Sequence, residues 1–84
     1  MFEVLLERTA ERDLKRFAAR EFDRMIREIK ALGENPRPVG CRKITGSEND
    51  WRIRVGDYRI VYEIDNTERT VKVMRVRHRR EVYR

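Results

Sequence analysis

Residues 51–84 read WRIRVGDYRIVYEIDNTERTVKVMRVRHRREVYR, and this stretch decides the fold. Arg52-Ile53-Arg54-Val55 alternates polar and apolar side chains, the period of a strand with one buried face. Gly56-Asp57 supplies a two-residue turn, and Tyr58 to Ile64 carries the chain back outward. Glycine at the first central turn position suits a type II′ hairpin, because that position needs a positive φ. Asp65 to Glu68 provides the next turn and Thr70 to Val76 the last strand. Arginine recurs throughout: Arg52, Arg54, Arg59, Arg75, Arg77, Arg79, Arg80 and Arg84 surround Tyr58, Tyr62, Tyr83 and the sole histidine, His78. Neither packing nor solubility calls for so many guanidinium groups on one sheet. Interleaved with aromatics, they point to a phosphate-rich partner, and to RNA in particular.

Outward from this sheet, the rest of the chain reads as its cover. Phe2 to Leu6 is a short first strand, and Thr9 is placed to cap the helix that follows. Leu14, Phe17, Ala18, Phe22, Met25, Ile26, Ile29 and Leu32 recur at helical spacing as one apolar stripe. No Gly or Pro interrupts residues 9–32, so one long helix and a helical hairpin broken near Ala18–Arg20 both remain open. Gly33 marks the C-cap, and Asn35-Pro36-Arg37-Pro38 stops the helix. Cys41 to Ile44 is a short strand and Thr45 to Asp50 a polar loop. The expectation is a single α+β domain over residues 1–84. An antiparallel sheet of about four strands carries the long helix or helix pair on one face.

Composition narrows the function. Eighty-four residues allow one modest core. The formal net charge is +6, with 43% of residues charged. Residues 1–34 carry eight basic and eight acidic side chains; residues 51–84 carry ten basic against five acidic and so hold +5 of the total. The basic character belongs to the C-terminal sheet, which favours an anionic partner there. Cys41 is the only cysteine, so no intramolecular disulfide forms and a reducing, cytoplasmic setting is expected. One Cys and one His cannot supply a structural zinc site, and the sequence offers no credible Ser-His-Asp or Cys-His arrangement. No metal, cofactor or membrane association is expected, since the N-terminus lacks an apolar run of signal-peptide or spanning length.

Alternation also fixes faces. If Ile53 and Val55 meet the helices, Arg52 and Arg54 lie on the open side, with Arg59 close enough to share a site with Arg54. Arg75, Arg77 and Arg79 alternate along the last strand and its exit. Arginine does not lose its proton near neutrality, which makes it a poor base but a good stabiliser of a charged phosphoryl transition state. Tyr83 and His78 are the nearby groups with other titratable protons. His78 reads equally as a packed or capping residue. Metal-free RNA cleavage needs only a positioned 2′-hydroxyl, charge neutralisation and modest acid–base help.

These residues carry a resemblance. The order strand, helix, N-P-R-P, short strand, then R-V-G-D-Y-R-I-V-Y followed by H-R-x-x-V-Y, closely resembles the RelE toxins of the RelE/ParE superfamily, over nearly the whole chain. The resemblance implies the toxin of a type II toxin–antitoxin pair. Its implied activity is metal-independent cleavage of the mRNA codon in the ribosomal A site, against rRNA, by 2′-hydroxyl attack. By position it implies catalytic roles for Arg52, Arg54, Arg59, Arg79 and Tyr83, with weaker RNA contacts from Arg75, Arg77, His78 and Arg80. Arg59 would hold the scissile phosphate, Arg79 the leaving group, and Tyr83 the substrate base. The best-studied members carry lysine where Arg52 and Arg54 stand, so a base from those two positions is not implied here. A cognate antitoxin would neutralise the toxin, and operator DNA would be met only through that complex. Two other readings share the fold: a ParE-like inhibitor of DNA gyrase, and an inactive RNA- or antitoxin-binding module.

Overall fold

The computed structural model describes residues 1–78 and residue 80. Seven elements follow in order: β1 (Glu3–Leu6), α1 (Arg8–Leu14), α2 (Ala19–Glu34), β2 (Arg42–Lys43), β3 (Asp50–Val55), β4 (Tyr58–Asp65) and β5 (Thr70–His78). The strands form one sheet in the order β1-β5-β4-β3-β2. β2 to β5 are antiparallel as expected, with the two-residue β2 as one edge. β1 adds a fifth strand, parallel to β5, so the sheet is mixed. At the β3–β4 turn Gly56 has φ 61°, and Arg69 is the only non-glycine described at positive φ, the pattern of the expected II′ turn.

Both helices pack on one face. Met25, Ile29 and Leu32 of α2, with Ala10 and Leu14 of α1, close over Val55, Ile60, Tyr62, Ile64, Val71, Val73 and Val76. The helical stripe and the period-2 strands therefore meet in one apolar layer. Tyr62 is fully buried, and its hydroxyl donates to the Pro36 carbonyl at 2.7 Å, which pins the loop after α2 to the sheet. Burial pushes the Tyr62 pKa up, so the phenol keeps the proton it donates.

The hairpin alternative is the one realised, with the break at residues 15–18. Arg16 and Phe17 donate backbone N–H groups to Asp13 and Leu14, a tightened last turn, and α2 restarts with Phe22 N–H on Ala18. What ends α1 is tertiary. Asp13 is held by β5, and the Phe17 ring packs on Tyr58 of β4, centroids 4.6 Å apart.

Two sequence expectations change here. Thr9 does not cap α1: its hydroxyl donates to the Met74 carbonyl at 2.7 Å, and Glu7 occupies the N-cap position. Gly33 lies inside the last turn of α2 rather than beyond it, and Asn35 is the C-cap. Gly33 is needed for close approach. Its carbonyl accepts the Phe2 N–H at 2.8 Å, and a Cβ there would stand 3.0 Å from both the Phe2 carbonyl oxygen and Val4 Cγ2. No described helix is long and apolar enough to cross a membrane.

Candidate nucleic-acid interface

The face of the sheet opposite the helices carries the arginines. Arg54 pairs with Arg59, and Arg59 with Arg77, so three guanidinium side chains leave one rung of the sheet on the same side. Arg52 stands two residues before Arg54 and pairs with Arg42 of β2, which adds a fourth and fifth. Beyond the end of β2 the edge of β3 is uncovered. There a hollow of about 340 Å³ opens, lined by Arg42, Arg52, Arg54 and Arg59, with Val39, Gly40 and Ile53 as its apolar wall. Arg54 Nε donates to the Gly56 carbonyl at 3.3 Å, which ties its stem to the turn.

The arrangement suits a phosphodiester. Four planar donors converge on one hollow, and like charges gathered so closely favour an anionic ligand between them. Its polar lining is arginine alone, a side chain suited to binding phosphate rather than to acting as a base. The hollow can bind and stabilise phosphoryl charge, but a proton must be moved by something else.

The structure sorts the sequence candidates. It brings Arg52, Arg54 and Arg59 together and sets Arg77 beside Arg59. Arg42 belongs with them and was not singled out, since a two-residue strand shows no alternation; only its pairing with Arg52 reveals it. Arg75 is spoken for. Its Nε and Nη2 reach the Asp13 carboxylate at 2.9 and 3.2 Å, a bidentate ion pair between β5 and α1. His78 lies on the helix side: it pairs with Tyr58, whose ring it meets edge-on at 5.3 Å, and its Nδ1 accepts the Arg80 N–H. The imidazole is thus on the other face from the arginine hollow, and Arg80 is exposed beside it. Arg79 and Tyr83 lie outside the described residues.

Asp13 is a second residue that sequence reading passed over. β1 covers β5 only as far as Val73, so the next backbone groups of β5 face no strand. α1 takes over that edge. Thr9 donates to the Met74 carbonyl, and Asp13 accepts the Val76 N–H at 2.9 Å. Burial by itself would push the Asp13 pKa up, but the Arg75 and Val76 hydrogen bonds and the Arg75 and Arg77 charges overcome it and hold the carboxyl below its usual value. Between Val61–Arg75 and Tyr62–Val73 the β4–β5 register shifts, leaving Met74 as an extra residue. That bulge changes the parity of β5. Val71, Val73 and Val76 can all face the core while Arg75 and Arg77 share the open side.

Comparison with known proteins agrees with this geometry. Residues 4–83 match the family described as the ParE toxin of the type II toxin–antitoxin system parDE. Toxin RelG of Mycobacterium tuberculosis is 32% identical over 87 residues, covering 99% of this chain and 97% of that one. Among solved structures, the toxin–antitoxin complex RelBE2 of M. tuberculosis superposes with a TM-score of 0.82 at 26% identity, over 92% of this chain and 96% of that chain. The RelB–RelE complex of Methanococcus jannaschii does so with a TM-score of 0.74 at 31% identity, over 94% of each. A mixed sheet with an arginine face, backed by two helices and matched along almost its full length, makes this chain a member of the ParE toxin family of type II toxin–antitoxin systems, within the RelE/ParE superfamily.

Proposed function

We propose that this toxin is a metal-independent endoribonuclease that cuts mRNA in the ribosomal A site and is neutralised by a cognate antitoxin in the cytoplasm. The observation that carries the reading is the convergence of Arg42, Arg52, Arg54 and Arg59 on one hollow of the open face. In this reading the 2′-hydroxyl attacks the adjacent phosphorus while the bond to the 5′-oxygen breaks. The products are a 2′,3′-cyclic phosphate and a 5′-hydroxyl, and the proton lost from one oxygen is balanced by the proton gained at the other. Arg54 and Arg59 neutralise the phosphoryl oxygens, where charge grows most. Arg52 and Arg42 hold the flanking phosphates and so align the 2′-oxygen. Proton transfer falls to Tyr83, to solvent or to a group of the ribosome, and Arg79 is proposed for the leaving group. An antitoxin partner is supported by the RelB–RelE complexes of the relatives. Operator DNA would be reached through that complex alone.

The test is primer extension on mRNA programmed into ribosomes with purified protein, with and without EDTA. Cuts inside the A-site codon that survive EDTA and require ribosomes are expected. Intact mRNA under these conditions sinks the reading. The match to a family described as ParE favours one alternative, a gyrase inhibitor of the same fold. In that case supercoiling by purified gyrase would fall on addition of the protein while the mRNA stayed whole.

A further inference from the structure

A second hollow, of about 180 Å³, opens on the helix side between the α1–α2 turn and the last rung of the sheet. Asp13, Arg16, Phe17, Tyr58, Val76 and His78 line it. The Phe17 and Tyr58 rings lie 4.6 Å apart at 42°, and the His78 ring meets Tyr58 edge-on at 5.3 Å. All three are half-buried: apolar surface is gathered there but not closed over. A cluster serving only the core would be sealed, as Val76 beneath it is at 3% exposure.

We propose that this hollow takes one nucleobase of the RNA strand whose phosphates the opposite face holds. The inference rests on the RNA reading of that face. Four features point to a base. Three of the six lining residues are aromatic, the side-chain type on which any base can stack. The exposed Arg16 guanidinium at the rim offers a cation to the attached phosphate. The volume falls below that of a drug-sized pocket, room for one ring system rather than a longer ligand. And the lining carboxylate does not repel the strand, because Asp13 is already paired bidentately with Arg75.

The path from one face to the other is short. The rung Val55–Tyr58–His78 follows directly on the rung Arg54–Arg59–Arg77, about 3.4 Å along the strands and pointing the opposite way. Asp13, in the wall of the hollow, grips Arg75 from the arginine side at 2.9 Å. α1 covers the edge of β5 as far as Val76, so the step from Arg77 to the hollow is made at the end of that cover, where the His78 rung lies.

The experiment uses the full chain and a short single-stranded RNA made uncleavable by 2′-O-methylation. The fluorescent base 2-aminopurine is placed at each position in turn, beside a matched strand that is abasic there. The expected result is strong quenching at one position, and about tenfold weaker binding when that position is abasic, the size of one stacked base. Phe17→Leu should remove both effects, while Phe17→Trp should keep them, which separates lost stacking from lost folding. Arg54→Ala should weaken basic and abasic strands alike. If wild-type protein binds base-bearing and abasic strands equally, with no quenching, the hollow is not a base site although the arginine face still binds RNA. If neither strand binds, the RNA reading fails and this inference with it.

Discussion

At the scale of single residues, the arginine face holds its charges in two settings. Arg75 serves the fold through Asp13, and Arg59 lines the hollow with Arg54 across from it. Arg59→Ala is therefore expected to lower mRNA cleavage by about 10²–10³-fold, the cost of losing one preorganised partner for growing charge. The apolar core is untouched, so the variant should still fold, with a circular-dichroism spectrum like that of the wild type. Arg59→Lys keeps the charge but not the fork and should recover only part of the activity. Cleavage at wild-type rate by a folded Arg59→Ala protein would take this residue out of the site. Asp13→Ala should do the reverse. It strands the buried Val76 N–H, which costs about 1–3 kcal/mol. The ion pair adds less, since the Arg75 side chain is 39% exposed and screened by water. The expected signature is a lowered melting temperature. Asp13→Asn, which keeps an acceptor, should fall between the two.

At the scale of elements, the way each edge of the sheet is closed follows from who covers it. β5 outruns β1, and α1 caps the exposed stretch with Thr9 and Asp13; β3 outruns β2, and the arginine hollow opens there. The cap on β5 titrates. The Asp13 pKa is lowered on folding, so its contribution is complete above the usual carboxylate value of 3.8 and is lost as pH falls through the lower native value. The melting-temperature gap between wild type and Asp13→Asn should hold at pH 6 and shrink steadily toward pH 3. A gap independent of pH would show that the charge on Asp13 contributes nothing. At the other end of the fold, Gly33→Ala presses a methyl group against the Phe2 carbonyl and Val4 at 3.0 Å. Such overpacking against backbone costs about 1–3 kcal/mol, or roughly 4–8 °C for each kcal/mol in a domain this small. Sequence could show the β3–β4 hairpin, because alternation and Gly56 are local signals. It could not show the helix break, which Asp13 and Phe17 impose by gripping the sheet, with no Gly or Pro to announce it. The parallel pairing of β1 and the Met74 bulge are likewise set by partners far away in sequence.

At the scale of the whole molecule, charge is divided between layers. The helical segment is neutral while the sheet holds nearly all of the net +6, a division visible in the sequence because it follows the order of the chain. What the sequence could not give was the count at one place. Arg42 joins Arg52, Arg54 and Arg59, whereas Arg75 is drawn away by Asp13 and His78 lies on the far side. That count has a thermodynamic consequence. Each phosphate neutralised on a single strand releases condensed counterions, and log K then falls with log salt by about 0.7 per contact. Four arginines in the hollow predict a slope near −2.8 for a short uncleavable RNA, measured by fluorescence anisotropy across a salt series. Arg42→Ala should flatten the slope by about 0.7, the mark of one lost phosphate contact rather than a general loss of charge. Arg27→Gln removes the same unit charge from the exposed side of α2 and should leave the slope unchanged. Equal flattening by both variants would mean that RNA follows the net charge of the protein. In that event neither Arg42 nor the hollow would be a defined phosphate site, and the arginine face would act only as a diffuse attractor.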